Sequence, residues 1–223
     1  MEWETIFAPS YSLLKVKIGK DETIFAEPGA MVAMRGNVKI ITKMKGGLFK
    51  ALARKLLAGE SMFFNIYQGE EGGGEIWLSP PLPGDIKYIK LENTEFHVQD
   101  FAYLAHHGDI SVGTKFKGFK GILAGGGGVF WLKLEGTGGV WISGYGGIDE
   151  IELEPGEKMI IDNFHALALE KTVKWKIRKF GGFKTFLFGG EGLVLEAEGP
   201  GRVYVQTRTL PSLAELLRRY IKK

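Results

Sequence analysis

The chain has 223 residues and a formal net charge of +3, and 44% of its residues are hydrophobic. This length fits one large domain or two small ones, and the apolar content can fill a substantial core. The absence of cysteine excludes disulfides, thiolate metal sites and cysteine nucleophiles. No signal peptide is visible, and no apolar stretch approaches the roughly 20 residues that span a bilayer. We therefore expect a soluble, cytoplasmic protein without a transmembrane segment.

Thirty-three glycines punctuate short apolar runs and show no collagen-like period. Glycine supplies positive φ angles in tight turns, so the pattern is typical of many short strands joined by turns. Alternating or apolar runs predict strands, in chain order, at residues 1–18 (one or two strands), 23–25, 31–34, 38–44, 63–67, 75–78, 86–91, 95–98, 103–105, 110–116, 148–153, 159–162, 166–169 and 172–177. The pair 31–34 and 38–44 is predicted to meet across 35–37.

Residues 115–144 form the clearest internal repeat unit: a basic, glycine-rich arm, then a strand, a glycine turn and a second strand. Similar arms begin at Lys43 and Arg178, and similar strand–glycine–strand units follow them at 63–79 and 193–207. The copies lie about 65 residues apart, which is longer than solenoid repeats. Three such copies predict one body with pseudo-threefold symmetry, in which fused modules hide strand edges.

Proline and glycine mark the module boundaries. ProProLeuProGly at 80–84 is the strongest internal break, and GluProGly turns at 27–29 and 154–156 bring the first and third modules into register. We therefore predict an all-β fold of three tandem, related β-sandwich-like modules in one body. The predicted modules are residues 1–84, 85–147 and 148–211, followed by a C-terminal helix at 212–223.

Two short helices complete the predicted fold. Residues 48–58 carry apolar side chains at helical spacing and are followed by Gly59, a favourable C-cap, so a helix is predicted within the first arm. In the tail, Ser212 and Glu215 fit a capping box, and apolar residues then fall on one helical face. We expect this amphipathic tail to pack against the β-body; binding to a membrane or a partner is the alternative.

Three motifs carry a resemblance to a known family: GluProGlyAlaMet at 27–31, GlyGlyLeuPhe at 46–49 and GlyGlyGlyGly at 125–128. Together with the three-copy pattern, they resemble the prokaryotic relatives of the mitochondrial biogenesis family named for altered inheritance of mitochondria. The resemblance covers essentially the whole chain. It implies a fold like that of the tryptophan-activated RNA-binding attenuation protein, three times in one chain. It carries over no catalytic residues, and its mitochondrial members imply a role in organising inner-membrane assemblies.

The basic arms are the main candidate for ligand binding. If threefold symmetry relates the modules, the cations of the arms form one basic rim with interleaved phenylalanines. Such a rim suits RNA, through charge and base stacking, or an anionic phospholipid surface. The alternative is that the arms are solvated turns of a lysine-rich protein. The candidate cations are Lys43, Lys45, Lys50, Lys115, Lys117, Lys120, Arg178, Lys179 and Lys184.

Patterns for metal binding and catalysis are weak. His106 and His107 would point to opposite faces of a strand, whereas His97 and His165 lie in loosely corresponding parts of two modules. Residues 125–128 lack the pattern of a phosphate-binding loop, and no serine lies in a GxSxG elbow. We therefore expect no cofactor and favour a non-enzymatic oligomeric scaffold or binding module. Binding of an anionic ligand and a metal-dependent enzyme of the double-stranded β-helix type are the alternatives.

Overall fold

The computed structural model describes residues 1–41, 64–115, 130–179, 193–218 and 220–221. Most of these residues lie in strands, which confirms the all-β prediction, while the helix predicted at 48–58 lies outside the described residues. The strands are β1 (Glu2–Ile6), β2 (Leu13–Ile18), β3 (Thr23–Ala26), β4 (Met31–Ile41), β5 (Asn65–Leu78), β6 (Gly84–Gln99), β7 (Tyr103–Lys115), β8 (Trp131–Tyr145), β9 (Ile148–Leu153), β10 (Lys158–Asp162), β11 (Ala166–Glu170), β12 (Lys174–Lys179), β13 (Leu193–Glu198) and β14 (Gly201–Gln206).

Two sheets account for all of these strands. Eleven strands form the larger sheet in the order β1-β2-β5-β3-β7-β8-β6-β11-β14-β9, with β4 paired to β5 beside this path. The smaller sheet has the order β10-β13-β12. Every pairing between named strands is antiparallel. The path through the larger sheet joins the amino-terminal and carboxy-terminal parts of the chain through β7, β8 and β6.

Strands β5 and β8 correct the prediction of a glycine turn inside each of them. Both are continuous, with 14 and 15 residues. In β8 the glycines permit a close approach of β7. A Cβ atom on Gly136 would lie 2.0 Å from the carbonyl oxygen of Asp109, and one on Gly138 would lie 2.1 Å from that of His107. Glycine in these strands therefore makes room for a neighbouring backbone and does not end the strand.

Strands β4, β6 and β7 are also continuous where the sequence predicted two short strands each. The expected hairpin across 35–37 is wrong, since β4 runs through this point and pairs with β5 along its length. Register shifts fall beside Gly36 and at Asn93, whose φ angles are 78° and 53°. These are bulges, which bend a strand and keep it in the sheet.

The third strand–glycine–strand unit is divided between the two sheets. Strand β13 pairs with β10 and β12 in the smaller sheet, and β14 pairs with β9 and β11 in the larger one. Pro200 lies between β13 and β14. Because proline has no N–H to donate, the ladder cannot run through it as it runs through β5 and β8.

The core consists of three clusters of buried side chains that cross the predicted module boundaries. One cluster joins Leu14 and Ile76 to Trp141. The second, central cluster contains Phe25 from β3 as well as Tyr204 from β14. In the third cluster, side chains from β8 and β12 lie among those of β10, β11 and β13. Apolar packing therefore joins the predicted modules to one another.

The C-terminal helix runs from Leu210 to Arg218, so it begins two residues before the predicted start. Thr209, not Ser212, caps it, because Thr209 Oγ1 accepts a hydrogen bond from the Ser212 amide at 3.4 Å. The expected packing on the body is wrong. None of the described residues of the helix is buried, and Leu216 and Leu217 are 51% and 47% exposed.

Candidate functional site

Each predicted basic arm connects two strands that pair with each other. The strand pairs close at Ile41 opposite Ile66, at Lys115 opposite Trp131 and at Lys179 opposite Leu193. The arms are thus long connections at the ends of antiparallel ladders. Of the nine candidate cations, Lys115, Arg178 and Lys179 lie in described strands. The others, Lys43, Lys45, Lys50, Lys117, Lys120 and Lys184, lie outside the described residues.

Arg178 is already engaged by an acidic side chain. Its Nε atom donates to Glu196 Oε2 at 2.6 Å, and Lys176 Nζ lies 3.2 Å from the other carboxylate oxygen of Glu196. Hydrogen bonds from Arg178 and Lys176 lower the pKa of Glu196. Glu196 therefore compensates one of the two positive charges in this part of the third arm's base.

The strands that follow the three arms are β5 and β8 of the larger sheet and β13 of the smaller sheet. They start at one end of the molecule, which we call the arm-bearing end. The ring of Phe64, just before β5, lies 5.3 Å from that of Tyr103. The Asp100 amide donates to the Phe130 carbonyl oxygen at 3.0 Å, and the Asn163 amide donates to that of Leu193 at 3.0 Å. The connections between β6 and β7 and between β10 and β11 thus hold the starts of β8 and β13.

Two carboxyl groups with raised pKa values lie at this end. Burial raises the pKa of Glu27 to about 7, and the charge of Asp100 adds to the effect. Burial also raises the pKa of Asp100, against the opposing effect of backbone hydrogen bonds that include the Phe101 amide. Ionised carboxylates at this position favour a nearby cation and disfavour an anion.

The same end contains buried polar atoms without hydrogen-bond partners. Gln99 Nε2 donates to the Asn163 carbonyl oxygen at 2.9 Å. Gln99 Oε1, Asn163 Oδ1 and Trp131 Nε1 are buried and make no hydrogen bond. Such atoms are uncommon in folded proteins. This cluster therefore leaves unsatisfied polar atoms between β6, β8 and the β10–β11 connection.

His97 belongs to a buried ionic network. Its Nε2 lies 2.9 Å from Glu95 Oε1, and Trp175 Nε1 donates to its Nδ1 at 3.2 Å. Since Nδ1 accepts this hydrogen bond, Nε2 must carry the proton of the neutral ring and donate it to Glu95 in a hydrogen bond. Burial opposes ionisation of Glu95, but Lys133, at 3.1 Å, together with His97 and Lys171 lowers the pKa of this carboxyl group. Both ring nitrogens of His97 therefore have hydrogen-bond partners, so the ring is not free to act as a general base. We interpret the network as structural.

The other histidines are also held in place individually. His106 stacks on Phe25 with centroids 4.6 Å apart, and burial lowers its pKa to about 3. His107 lies on the opposite face of β7, where Nε2 is 3.0 Å from Tyr88 Oη. His165 lies in the turn before β11 and not in a strand like His97, so the expected correspondence of these two residues is wrong. Within the described ranges, no three histidine, aspartate or glutamate side chains converge on a possible metal position.

A shallow groove of about 790 Å³ lies between β2, β4 and β5. Arg35 Nη2 lies 2.9 Å from Glu75 Oε2, and Trp77 Nε1 also donates to Glu75. The hydrogen bonds from Trp77 and Arg35 lower the pKa of Glu75. The charges in the groove therefore satisfy one another.

Two exposed strands, β4 and β10, are the features that sequence reasoning missed. On β4, Met31, Val32 and Met34 are 41%, 55% and 39% exposed, and on β10 Ile160 is 51% exposed. Within the described residues, β4 pairs with β5 alone and β10 with β13 alone. A signal was present, since residues 31–34 are apolar without alternation, which indicates apolar side chains on both faces of one strand.

The fold and the candidate site define a class: an all-β protein with a core of three clusters, ion-paired charges and exposed apolar strand edges. The family model described as mitochondrial biogenesis AIM24 matches residues 4–208, and the chain belongs to this family. An uncharacterised protein of Streptococcus pyogenes serotype M6 is 30% identical over 218 residues, covering 95% of this chain and 87% of that protein. A crystal structure of a Streptococcus pyogenes protein superposes with a TM-score of 0.81 at 29% identity, covering 99% of both chains.

The family resemblance drawn from the sequence is thereby confirmed. No helix in the part of the chain that the structure describes has the length and apolar character needed to cross a bilayer.

Proposed function

We propose that this protein is a non-enzymatic oligomeric scaffold. The observation that carries the proposal is the exposure of apolar side chains on β4 and β10, two strands at the edges of their sheets. Folded proteins normally protect such edges with lysine, proline, bulges or a covering element. Burial of Met34 and Ile160 between subunits removes this apolar surface from water and stabilises the assembly.

The proposed scaffold has three related modules, at 1–84, 85–147 and 148–211, with the pseudo-threefold relation that the resemblance to the attenuation protein implies. Within the described residues this arrangement stays open between β10 and β4. A recurring irregularity supports the module assignment. In β4, β7 and β11 the register against the neighbouring strand shifts near the start of each strand, and β4 has a further shift at Gly36. The shifts near the strand starts fall between Met31 and Ala33, between Tyr103 and Ala105, and between Ala166 and Ala168. Bulges are positioned features of a fold, so three bulges at matching places favour one ancestral module.

Static light scattering of the purified chain tests the scaffold. We expect a mass that is a multiple of the 24.7 kDa chain and that falls on dilution. A single mass of one chain at all concentrations would contradict the scaffold. Light scattering at high ionic strength is the control, because apolar association persists where charge pairing is screened.

Anionic-ligand binding is the second candidate, favoured by the alignment of the three arm bases along one end of the molecule. Binding to mixed RNA or to anionic vesicles should weaken steeply with salt and with alanine at Lys115, Lys117 and Lys120. The carboxyl groups of Glu27 and Asp100 at the same end oppose this candidate. No binding at low salt would exclude it. Elemental analysis of the purified protein tests the metal-dependent alternative.

A further inference from the structure

Two pairings, which we call the seams, join strands from different proposed modules. In the first seam β3 pairs with β7, with Ala26 opposite Ala105 and Phe25 opposite His106. In the second, β6 pairs with β11, with Val98 opposite Ala168. Both seams are antiparallel and bury their side chains. Each also holds polar contacts, such as the Tyr103 hydroxyl donating to the Phe25 carbonyl oxygen at 3.1 Å.

The two seams use the same positions of the module. Ala105 and Ala168 each follow directly after the bulge of their strand. Their partners are also equivalent, because Ala26 lies seven residues before Ala33, and Val98 lies seven residues before Ala105. Each seam therefore joins two consecutive modules. The earlier module contributes the strand that precedes its bulged strand, and the next module contributes its bulged strand.

One bulged strand and one strand that precedes a bulged strand remain without a seam. The first module contributes a bulged strand, β4, with Ala33 directly after its bulge. The third module contributes the preceding strand, β10, in which Ile161 lies seven residues before Ala168. Within the described residues, neither strand pairs along this edge. The open edges of β4 and β10 are thus the two halves of a third seam.

We infer that β10 of one copy pairs antiparallel with β4 of a second copy of this chain. The seam register places Ile161 opposite Ala33, Ile160 opposite Met34 and Met159 opposite Arg35. The pairing rests on the proposed scaffold function and specifies its interface. Ile160 and Met34, which are 51% and 39% exposed in the single chain, face each other across this seam.

The pairing is head to tail, because the two partners contribute different surfaces. A bound pair of chains keeps one free β4 edge and one free β10 edge, so it can add further copies. Such heterologous contacts produce a ring where the rotation closes and a filament where it does not. Association by this route gives no symmetric dimer as its end point.

Cysteine cross-linking tests the register, since the chain has no cysteine of its own. Directly opposed residues of an antiparallel pair have Cα atoms about 4.5–5.5 Å apart, which lies within the range that a disulfide spans. Under mild oxidation, a mixture of full-length M34C and I160C chains should give a linked heterodimer as its main product. Each variant alone should give at least about tenfold less of a linked dimer. K17C is the matched control partner for M34C, because β2 lies between β1 and β5 and has no open edge.

Four outcomes would overturn the pairing. A 34–160 linkage no more frequent than the linkage of M34C with K17C would contradict the register. A disulfide within single chains of an M34C/I160C double variant would show closure inside one chain. Wild-type protein that associates while I160K, folded by circular dichroism, keeps the same mass would place the interface elsewhere and leave the scaffold standing. A wild-type mass of one chain would overturn the scaffold and the pairing together.

Discussion

The seams and the open edges are formed by strands of the same kind. At the seams a neighbouring strand covers them, whereas at the open edges they are exposed. At the seams, Phe96 and His97 of β6 and Phe25 of β3 are at most 6% exposed. At the open edges, Ile160 and Met34 are 51% and 39% exposed. All these strands carry apolar side chains, so composition does not separate the two groups. The difference arises because β3 and β6 each pair with strands on both sides, whereas, within the described residues, β4 and β10 each pair with one strand only.

Apolar open edges are unusual, and they indicate a partner more strongly than exposed charge does. Proteins that remain single commonly place lysine or proline at such strands. Lys158 begins β10 and Arg35 lies in β4, but both are paired with carboxylates of their own sheets, at 3.4 Å and 2.9 Å. These charges therefore do little to prevent another strand from pairing with the open edges. The following predictions compare residues of the closed and open strands, from the largest expected effect to the smallest.

Phe96→Ala should lower the free energy of unfolding by about 3–5 kcal/mol, because Phe96 is fully buried and its removal leaves a cavity. Ile160→Ala is the matched open-edge variant and should change it by less than about 0.5 kcal/mol in dilute protein. Urea unfolding of both variants measures the difference. Equal losses would mean that Ile160 is covered within the single chain.

Glu27 should make stability fall as the pH rises. The ordinary pKa of this carboxyl is 4.5 and the folded value is about 7, so the folded chain binds more protons between these values. The contribution is complete below pH 4.5 and is lost as the pH rises through 7. Glu27→Gln should remove this dependence. Unfolding at pH 5 and pH 8 measures it, and parallel curves for both proteins would refute the assignment.

Glu95→Ala should cost about 1–3 kcal/mol at neutral pH, because it removes the acceptor of the His97 proton and the partner of Lys133. The folded pKa of Glu95 is lowered, so its stabilisation is present above the ordinary value and lost as the pH falls through the folded one. The loss caused by the variant should therefore shrink in acid. A constant loss from pH 7 to pH 3 would contradict the ionic role.

Leu216→Ser should change the free energy of unfolding by less than about 0.5 kcal/mol, because the side chain is 51% exposed on a helix without buried residues. Leu195→Ser, a buried position in β13, is the contrasting variant with a large expected loss. Thermal unfolding distinguishes them. A loss above about 1 kcal/mol for Leu216→Ser would restore the expected packing of the helix on the body.

Local signals in the sequence predicted local structure well. The strand at 148–153 agrees with β9, and the GluProGly turns contain Gly29 and Gly156 at φ angles of 91° and 80°, as positive-φ turn positions require. The continuity of β8 could not be predicted, because Gly136 serves a contact with Asp109, which is distant in the chain. The open edges also depend on which strands pair, and periodicity does not contain that information. The arm cations remain a prediction, apart from Arg178, which is paired with Glu196.

Amide hydrogen exchange at two protein concentrations tests the central claim most directly. In concentrated protein, amides in 31–35 and 158–162 should exchange slowly, as those of β3, β6, β7 and β11 do. On dilution to the single chain, protection should be lost at those amides of 31–35 and 158–162 that point away from β5 and β13, because the other amides keep their hydrogen bonds within the chain. Protection should be retained at the seams. The measured mass could instead change with concentration while the exchange rates of the amides at the two open edges stay the same. That result would contradict head-to-tail pairing of β10 with β4.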